Sequence, residues 1–393
     1  MRKQLASFII LGDPHIGKSQ SIGRVGLGSA LNSRIIDQCN LLDWTLEQAI
    51  ERGIEHVVIT GDVFEEPKPH PTLITLFVAW LRKCGEAGIH VHIIQGNHDM
   101  IRTGSFNNSS LDIIIESDLD NVSIYKSIQT VFIGDTAITM VPFRDRRSSN
   151  LNSNAEAIEL LRNILTYELA SIPMSYRKLL IGHLALEGSL FIGDELDDVA
   201  NELFCPLSMF EGYDYVWMGH IHKYQVLQVS PHIAHIGSMD ISNFGEANET
   251  KYLVCVDDDI TTIPIPTRPL KKLSITVPEN TKDTTQFVLD RIAEENSLST
   301  SISRVEIHLS SPDLLPVDRT LIEKQLYSVG VSNVSAISES KKLSPIKKNS
   351  VIVNTTMDVV STIKAWGRDQ IPADKQEAFI ALALDIYNQH RNK

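Results

Sequence analysis

Apolar residues fall in two rhythms along roughly the first hundred positions. Runs such as "ASFIIL", "HVVIT" and "IHVHIIQ" are short and continuous, the pattern of strands buried on both faces. Between them, Leu31, Ile35, Cys39, Leu42 and Leu46 recur at helical spacing, and "LITLFVAWLRKCGEAG" reads as a second helix ending at a glycine. This alternation of strand and helix predicts an α/β fold in which helices cover a sheet. Further strands are predicted at "TVFIG", "AITMVPF", "KLLIGH", "YVWMGH", "QVLQVS" and "YLVCVDDD". Several have no intervening helix, so part of the sheet is expected to be antiparallel or mixed.

The pattern changes at "TTIPIPTRPLKKL", where the prolines from Pro264 to Pro269 read as an extended connector. "LSITV", "SRVEIHLS" and "VSAIS" then alternate with two helical patterns, predicting a small βαβαβ unit. "ESKKLSPIKKNS" is polar, basic and broken by Pro345, as linkers are. Two helical patterns close the chain, near "MDVVSTIKAWGRD" and "PADKQEAFIALALDIYNQH". The expected division is a catalytic domain at 1–265, a small α/β domain at 266–340, a linker at 341–356 and a helical segment at 357–393.

Composition narrows the class. The 393 residues leave room for two or three domains, and 42% hydrophobic content supplies their cores. A net charge of −13 gives no chain-wide basic character. Local basic clusters do exist, at Arg144, Arg146 and Arg147 and at Arg268, Lys271 and Lys272, and these are candidate phosphate contacts. Cys39, Cys84, Cys205 and Cys255 are scattered thiols without a C-x-x-C pair, which fits a reducing, cytoplasmic setting. "MRKQLASFIILGD" runs from a short apolar stretch straight into an acidic loop, so it reads as a first strand and not as a signal peptide. No apolar run is long enough to predict a membrane span.

The chemistry sits where the strands end. "FIILGDPH" ends in Asp13 and His15, "VVITGD" in Asp62, and "HIIQGNHD" in Asn97, His98 and Asp99. "KLLIGH" ends in His183 and "YVWMGHIH" in His220 and His222. Each polar group is introduced by a glycine (Gly12, Gly61, Gly96, Gly182 or Gly219), which permits a sharp turn and a close backbone approach. Ligands of α/β sheets sit at the carboxyl ends of strands. Carboxylate, amide oxygen and imidazole together suit manganese, iron or zinc ions, and the lack of thiolates argues against a structural zinc. The set is too large for one tetrahedral ion and sufficient for two ions sharing Asp62. Paired ions about 3.5–4 Å apart clamp a phosphoryl group and activate water near neutral pH.

The ordered segments "GDPHIG", "TGDVFEEP", "QGNHD", "IGHLALEG" and "MGHIHKYQ" resemble the calcineurin-like metallophosphoesterase superfamily, from about Phe8 to His222. The resemblance implies a layered core of two mixed sheets flanked by helices, with a small α/β capping domain and a helical tail. It implies Asp13, His15, Asp62 and His222 around one ion, and Asp62, Asn97, His183 and His220 around the other. His98 would be the catalytic histidine at the leaving-group oxygen; Asp99 would orient it from behind or cap the turn. "TGDVFEEPKPHP" and "GSMDISNFGE" look like the SbcD-type nuclease subunits of the repair nuclease–ATPase complex. That resemblance implies two manganese ions (with magnesium, iron or zinc as alternatives), DNA as substrate, and exonuclease and endonuclease activity. It also implies homodimers and a coiled-coil SMC-like ATPase partner, gripped by apolar faces at Val359, Ile363 and Trp366 and at Phe379, Ile380, Leu384 and Tyr387. Some relatives carry histidine where Glu65 stands, so a strand-guiding role there is in doubt.

Two rivals are kept. A phosphatase or nucleotide phosphodiesterase would use the same ions. "GDPHIGKS" also fits the P-loop pattern of an NTPase. Against it, Asp13 would face phosphates, Pro14 removes an N–H donor, and a glycine-rich stretch follows where a helix should begin.

Overall fold

Two six-stranded sheets carry the first part of the chain. The structure is a computed structural model and describes residues 7–26, 30–101, 108–145, 151, 153–192, 203–257, 259–341, 359–371 and 374–391. In the first sheet the strands Ile260–Pro264, Tyr252–Val256, Phe8–Leu11, His56–Ile59, His90–Ile94 and Val122–Tyr125 lie side by side in that order. The last four are parallel, and the Tyr252–Val256 strand pairs antiparallel on both its sides. The second sheet runs Gln225–Gln228, His232–His235, Tyr215–Met218, Arg177–Gly182, Thr136–Val141 and Gln129–Ile133, with parallel pairing in its middle and antiparallel pairing at both edges. Both sheets are mixed, as the missing helices between predicted strands required.

Strand periodicity explains why the runs are apolar throughout. Phe8 and Ile10 point into the core between the sheets, while Ile9 and Leu11 point into the core under the helices Ser33–Arg52 and Pro71–Glu86. All four are fully buried, each worth roughly 1.5–3 kcal/mol of transfer free energy. The inter-sheet core is completed by Ile138, Leu179, Ile181 and Trp217 from the second sheet. Local signals set the helix ends: the Asn32 side chain accepts a hydrogen bond from the Arg34 amide at 2.9 Å, and Gly53 closes that helix at φ 64°.

Several elements were absent from the sequence-based expectation, among them the strands Val122–Tyr125 and His232–His235, the edge strand Ile260–Pro264 within the expected connector, and one helix. The helix Asn154–Ser171 covers the outer face of the second sheet, burying Ala157, Leu161 and Leu165. Its cap is orthodox, with the Ser153 hydroxyl accepting from the Glu156 amide. Its apolar stripe is blurred because Leu160 and Tyr167 lie on the exposed side.

The small unit is a three-stranded parallel sheet, Leu270–Val277, Ile302–Leu309 and Asn333–Lys341, with the helices Thr284–Glu294 and Arg319–Ser328 packed on it. It rests on the first part of the chain through Leu270 and Ile302 against Ile22 and Ile241, and through Asn333 Nδ2 donating to the Ile22 carbonyl at 2.6 Å. Nearly all of the expected linker lies outside the described residues. Beyond it, the helices Val359–Gln370 and Gln376–Arg391 pack through Trp366 on Phe379, ring centroids 5.4 Å apart.

Candidate metal centre

Asp13, His15, Asp62, Asn97, His183, His220 and His222 all converge on one edge of the two-sheet body, just past the ends of their strands. The turns are tight. His15, Asp62 and His220 adopt left-handed backbone conformations, at φ 42°, 47° and 77°, which cost a non-glycine residue about 1–3 kcal/mol each. The glycines work as their spacing suggested. A Cβ on Gly219 would lie 2.4 Å from Asp13 Oδ1, and one on Gly96 would lie 2.1 Å from Asp62 Oδ1.

The side chains form two pockets that meet at Asp62. Asp13, His15 and His222 bring one ligand atom each within 4.8 Å of one another, and so do Asp62, His183 and His220. Asp62 Oδ2 lies 3.6 Å from His15 Nε2 and 3.2 Å from His183 Nε2, so one oxygen faces both groups. Asn97 Oδ1 lies 2.9 Å from His183 Nε2 and 3.0 Å from His220 Nδ1, which puts it in the second pocket. Asp13 is held by the Thr60 hydroxyl at 2.8 Å and the His220 amide at 2.7 Å.

This donor set fits divalent cations. Asp13, Asp62, His15 and His183 are buried, and buried charge requires a partner. His15 Nε2 and His222 Nε2 stand 3.0 Å apart, two imidazole nitrogens that can share at most one proton. Burial and Lys18 keep His15 well below its usual range, in the neutral form that can donate a lone pair. Burial opposes charge on His183, yet Asp62 and Asp13 push it up to about 10. A proton on His183 thus answers the carboxylate charge that a cation would otherwise answer.

Of the two roles expected of Asp99, orienting His98 or capping the turn, its contacts fit the second. Its carboxylate accepts from the Gly96 amide at 2.9 Å and the Val63 amide at 3.1 Å, so it caps the turn. His98 is held instead by the Glu65 backbone carbonyl, 2.7 Å from Nδ1. Burial pulls His98 down, but Asp62 and the Glu65 carbonyl outweigh it and raise its pKa.

Sequence reasoning missed three neighbours of the centre. Glu65, noted only for a strand-guiding role in doubt, brings Oε2 to 2.9 Å from His15 Nδ1. Glu246, within the "GSMDISNFGE" segment, brings Oε1 to 3.5 Å from His222 Nδ1 and pairs with fully buried Lys251 at 2.8 Å. Burial would raise Glu246; His222 and Lys251 hold it down to about 2. The signal for Glu246 lay in the quoted motif, and that for Lys251 only in its burial.

An open cavity of about 530 Å³ lies over the pockets, bordered by Asp62, His98 and His222, by Lys18 and Phe244, and by Arg304 from the small unit. The Arg304 guanidinium sits 4.3 Å above the Phe244 ring, and its buried Nε has no hydrogen-bond partner. The basic clusters named from sequence behave differently. Arg268 is spent on Asp37 and the Thr300 carbonyl, Lys272 on Glu306, and Arg144 on the Phe143 and Lys126 carbonyls. Arg146 and Arg147 lie outside the described residues. The P-loop reading also fails: after "GDPHIGKS" comes only the short turn Gln20–Ile22, and the next helix begins at Ser33.

A layered α/β body with paired His/Asp pockets that can hold two metal ions defines a dimetal phosphoesterase. The calcineurin-like phosphoesterase family profile matches residues 6–224, and the chain belongs to that family. It is therefore a hydrolytic phosphoesterase. It is similar to the SbcD component of nuclease SbcCD from Escherichia coli strain K12 and from Escherichia coli O157:H7, 23% identical to each over 244 residues, covering 56% of this chain and 59% of theirs. The chain thus matches less than two thirds of those relatives' length. Among solved structures it resembles a dimetal phosphatase from Danio rerio, at 12% identity and a TM-score of 0.42, covering 67% of this chain and 99% of the other. Among the described residues, no helix is long and apolar enough to cross a membrane.

Proposed function

We propose that the chain is a DNA nuclease that hydrolyses phosphodiesters with two divalent cations, manganese foremost. The observation that carries this reading is the meeting of the two pockets at Asp62 beneath a cavity whose rim includes Arg304. In the proposal Asp13, His15, Asp62 and His222 hold one ion, and Asp62, Asn97, His183 and His220 the other. The ions supply an activated water and neutralise charge on the phosphoryl group. The chain's own groups do the rest. The Glu65 carbonyl fixes the Nδ1 proton of His98 and leaves Nε2 to give a proton to the departing 3′ oxygen. Arg304 and Lys18 border the cavity as cations for the substrate's phosphates.

The division into a nuclease domain, a capping domain and a helical segment for a coiled-coil SMC-like ATPase belongs to the same proposal, as do homodimer formation and action on DNA in the cytoplasm. Of the expected apolar face, Val359 and Trp366 keep 49% and 45% of their surface exposed, which supports a partner face there. On the last helix Phe379 packs on Trp366, and the exposed large apolar residues are Leu382 and Ile386, not the expected ones. The test is a manganese-dependent DNA cleavage assay of His98→Ala beside the wild type. Retained metal with cleavage lost is expected; unaltered cleavage removes His98 from the mechanism. Hydrolysis of small phosphodiesters with DNA left intact would assign the chain to the nucleotide phosphodiesterases.

A further inference from the structure

Arg304 reaches the cavity from the small unit. It lies on the central strand of that unit's sheet, Ile302–Leu309, whose Val305, Ile307 and Leu309 point into the core with the helices. The alternate face turns to the first part of the chain: Ile302 packs with Ile22 and Ile241, and Arg304 comes next along it. The ladder slips by one residue at that point, with Ser303 opposite Val334 and Arg304 opposite Ala336. A slip of this kind re-aims a side chain. The guanidinium ends 4.3 Å above the Phe244 ring, at the border of the cavity.

The neighbouring charges are already matched. Lys18 Nζ stands 3.4 Å from Glu65 Oε2, and Glu306, two residues further along the same face, is taken by Lys272 at 2.9 Å. Among the described residues the Arg304 guanidinium has no hydrogen bond and no ion pair, although its Nε is buried. A buried donor left without a partner is costly, and a planar guanidinium matches a phosphate with two parallel hydrogen bonds. The platform beneath it is fixed. The Glu246 carboxylate accepts from the Ser242 amide at 3.2 Å and from Asn243 Nδ2 at 3.1 Å, and Lys251 holds Glu246 in turn at 2.8 Å. Phe244 therefore presents the guanidinium in one place, and little freedom is lost when an anion arrives.

The two ions answer the charge of the phosphate that is cleaved. Arg304 comes from another unit and belongs to neither ligand group, so it is left for a different phosphate. We infer that Arg304, stacked on Phe244, forms a second phosphate subsite that takes a neighbouring phosphate of the same strand, so that the chain selects strands of several nucleotides over an isolated phosphodiester. This rests on the nuclease reading above and adds to it a preference for length carried by the small unit.

The experiment compares hydrolysis of a thymidine dinucleotide, which has a single linkage, with that of a thymidine hexanucleotide by the full chain in Mn²⁺, with thermal midpoints recorded alongside. Wild type is expected to favour the hexanucleotide through a lower KM. Arg304→Met keeps a stem over Phe244 and removes the fork. It should take about 10–100-fold off that preference, again through KM. It should also reduce the slope of log affinity against log salt for the hexanucleotide by about 0.7. Arg304→Lys should restore the salt slope and only part of the preference. The inference is overturned if Arg304→Met keeps the wild-type preference, or if it lowers hydrolysis of both substrates equally together with the midpoint, as a packing residue would. A wild type that cleaves both substrates equally well overturns it and leaves the nuclease reading standing. A wild type that hydrolyses bis(p-nitrophenyl) phosphate and neither nucleotide substrate refutes the nuclease reading, and the subsite with it.

Discussion

Replacing Gly96 with alanine adds a single methyl group at the point where two strand ends come closest. That methyl would sit 2.1 Å from Asp62 Oδ1, 2.4 Å from the Asp62 amide nitrogen and 2.7 Å from Asp62 Cγ. The nearest carboxylate atom must withdraw by about 1 Å to reach an ordinary contact, and because the backbone nitrogen is also too close, a rotamer change cannot relieve the clash. Overpacking of this kind costs about 1–3 kcal/mol of stability. The functional effect is larger, since Asp62 Oδ2 faces both pockets and Oδ1 accepts from the His98 amide at 2.8 Å. A displacement of about 1 Å in such a group lowers the rate on the order of 100-fold. The assay is hydrolysis of bis(p-nitrophenyl) phosphate at saturating Mn²⁺, with bound metal measured in parallel. Gly26→Ala is the control, because a Cβ there meets nothing within 4 Å. A folded Gly96→Ala protein with two ions and activity within threefold of wild type would refute the claim that this glycine serves the close approach.

Removing Arg34, fully buried and bonded to Asp37, Asp240 and the Ile241 carbonyl, as Arg34→Met should cost about 3–5 kcal/mol in chemical denaturation, because it strands Asp240, which burial pushes up to about 6 even with Arg34 beside it. Adding Asp240→Asn should recover part of that loss; a single-mutant effect below about 1 kcal/mol would rule out the ion cluster as a stabilising tie. Burial, with His90 and His56 adding to it, pushes His92 down to about 3, so the folded chain excludes a proton that the unfolded chain takes up. Stability should therefore fall as pH drops below about 6.5, by about 2 kcal/mol from this residue between pH 7 and 5, and His92→Gln should flatten that limb in urea titrations. An unchanged limb would contradict it. Chelation with EDTA should abolish hydrolysis and Mn²⁺ should restore it; turnover that survives exhaustive chelation would exclude the two-ion reading.

Much of the centre was legible because its chemistry is written in short segments. Glycine followed by Asp, Asn or His at a strand end is a local pattern, and its repetition in one order named every residue now seen in the two pockets. The apolar runs likewise announced their strands, since a strand buried on both faces has no polar alternation to confuse it. The helix Asn154–Ser171 escaped because exposed apolar residues such as Tyr167 dilute its stripe.

What stayed hidden depends on distance across the fold. Asp99 follows His98 in sequence, and adjacency suggested a partnership; the turn instead aims its carboxylate at the Gly96 and Val63 amides. Glu65 and Glu246 lie far from His15 and His222 along the chain, and their contacts exist only once the loops pack. Arg268 looked like a free cation until Asp37 was found beside it, and Arg304 passed unnoticed until the small unit brought it over Phe244. The kinds of ligand and their order along the chain can be read in one dimension because they depend on residue type and strand period. The partner of each charge cannot, because a Coulombic or hydrogen-bonding contact depends on separation in space, which packing alone supplies.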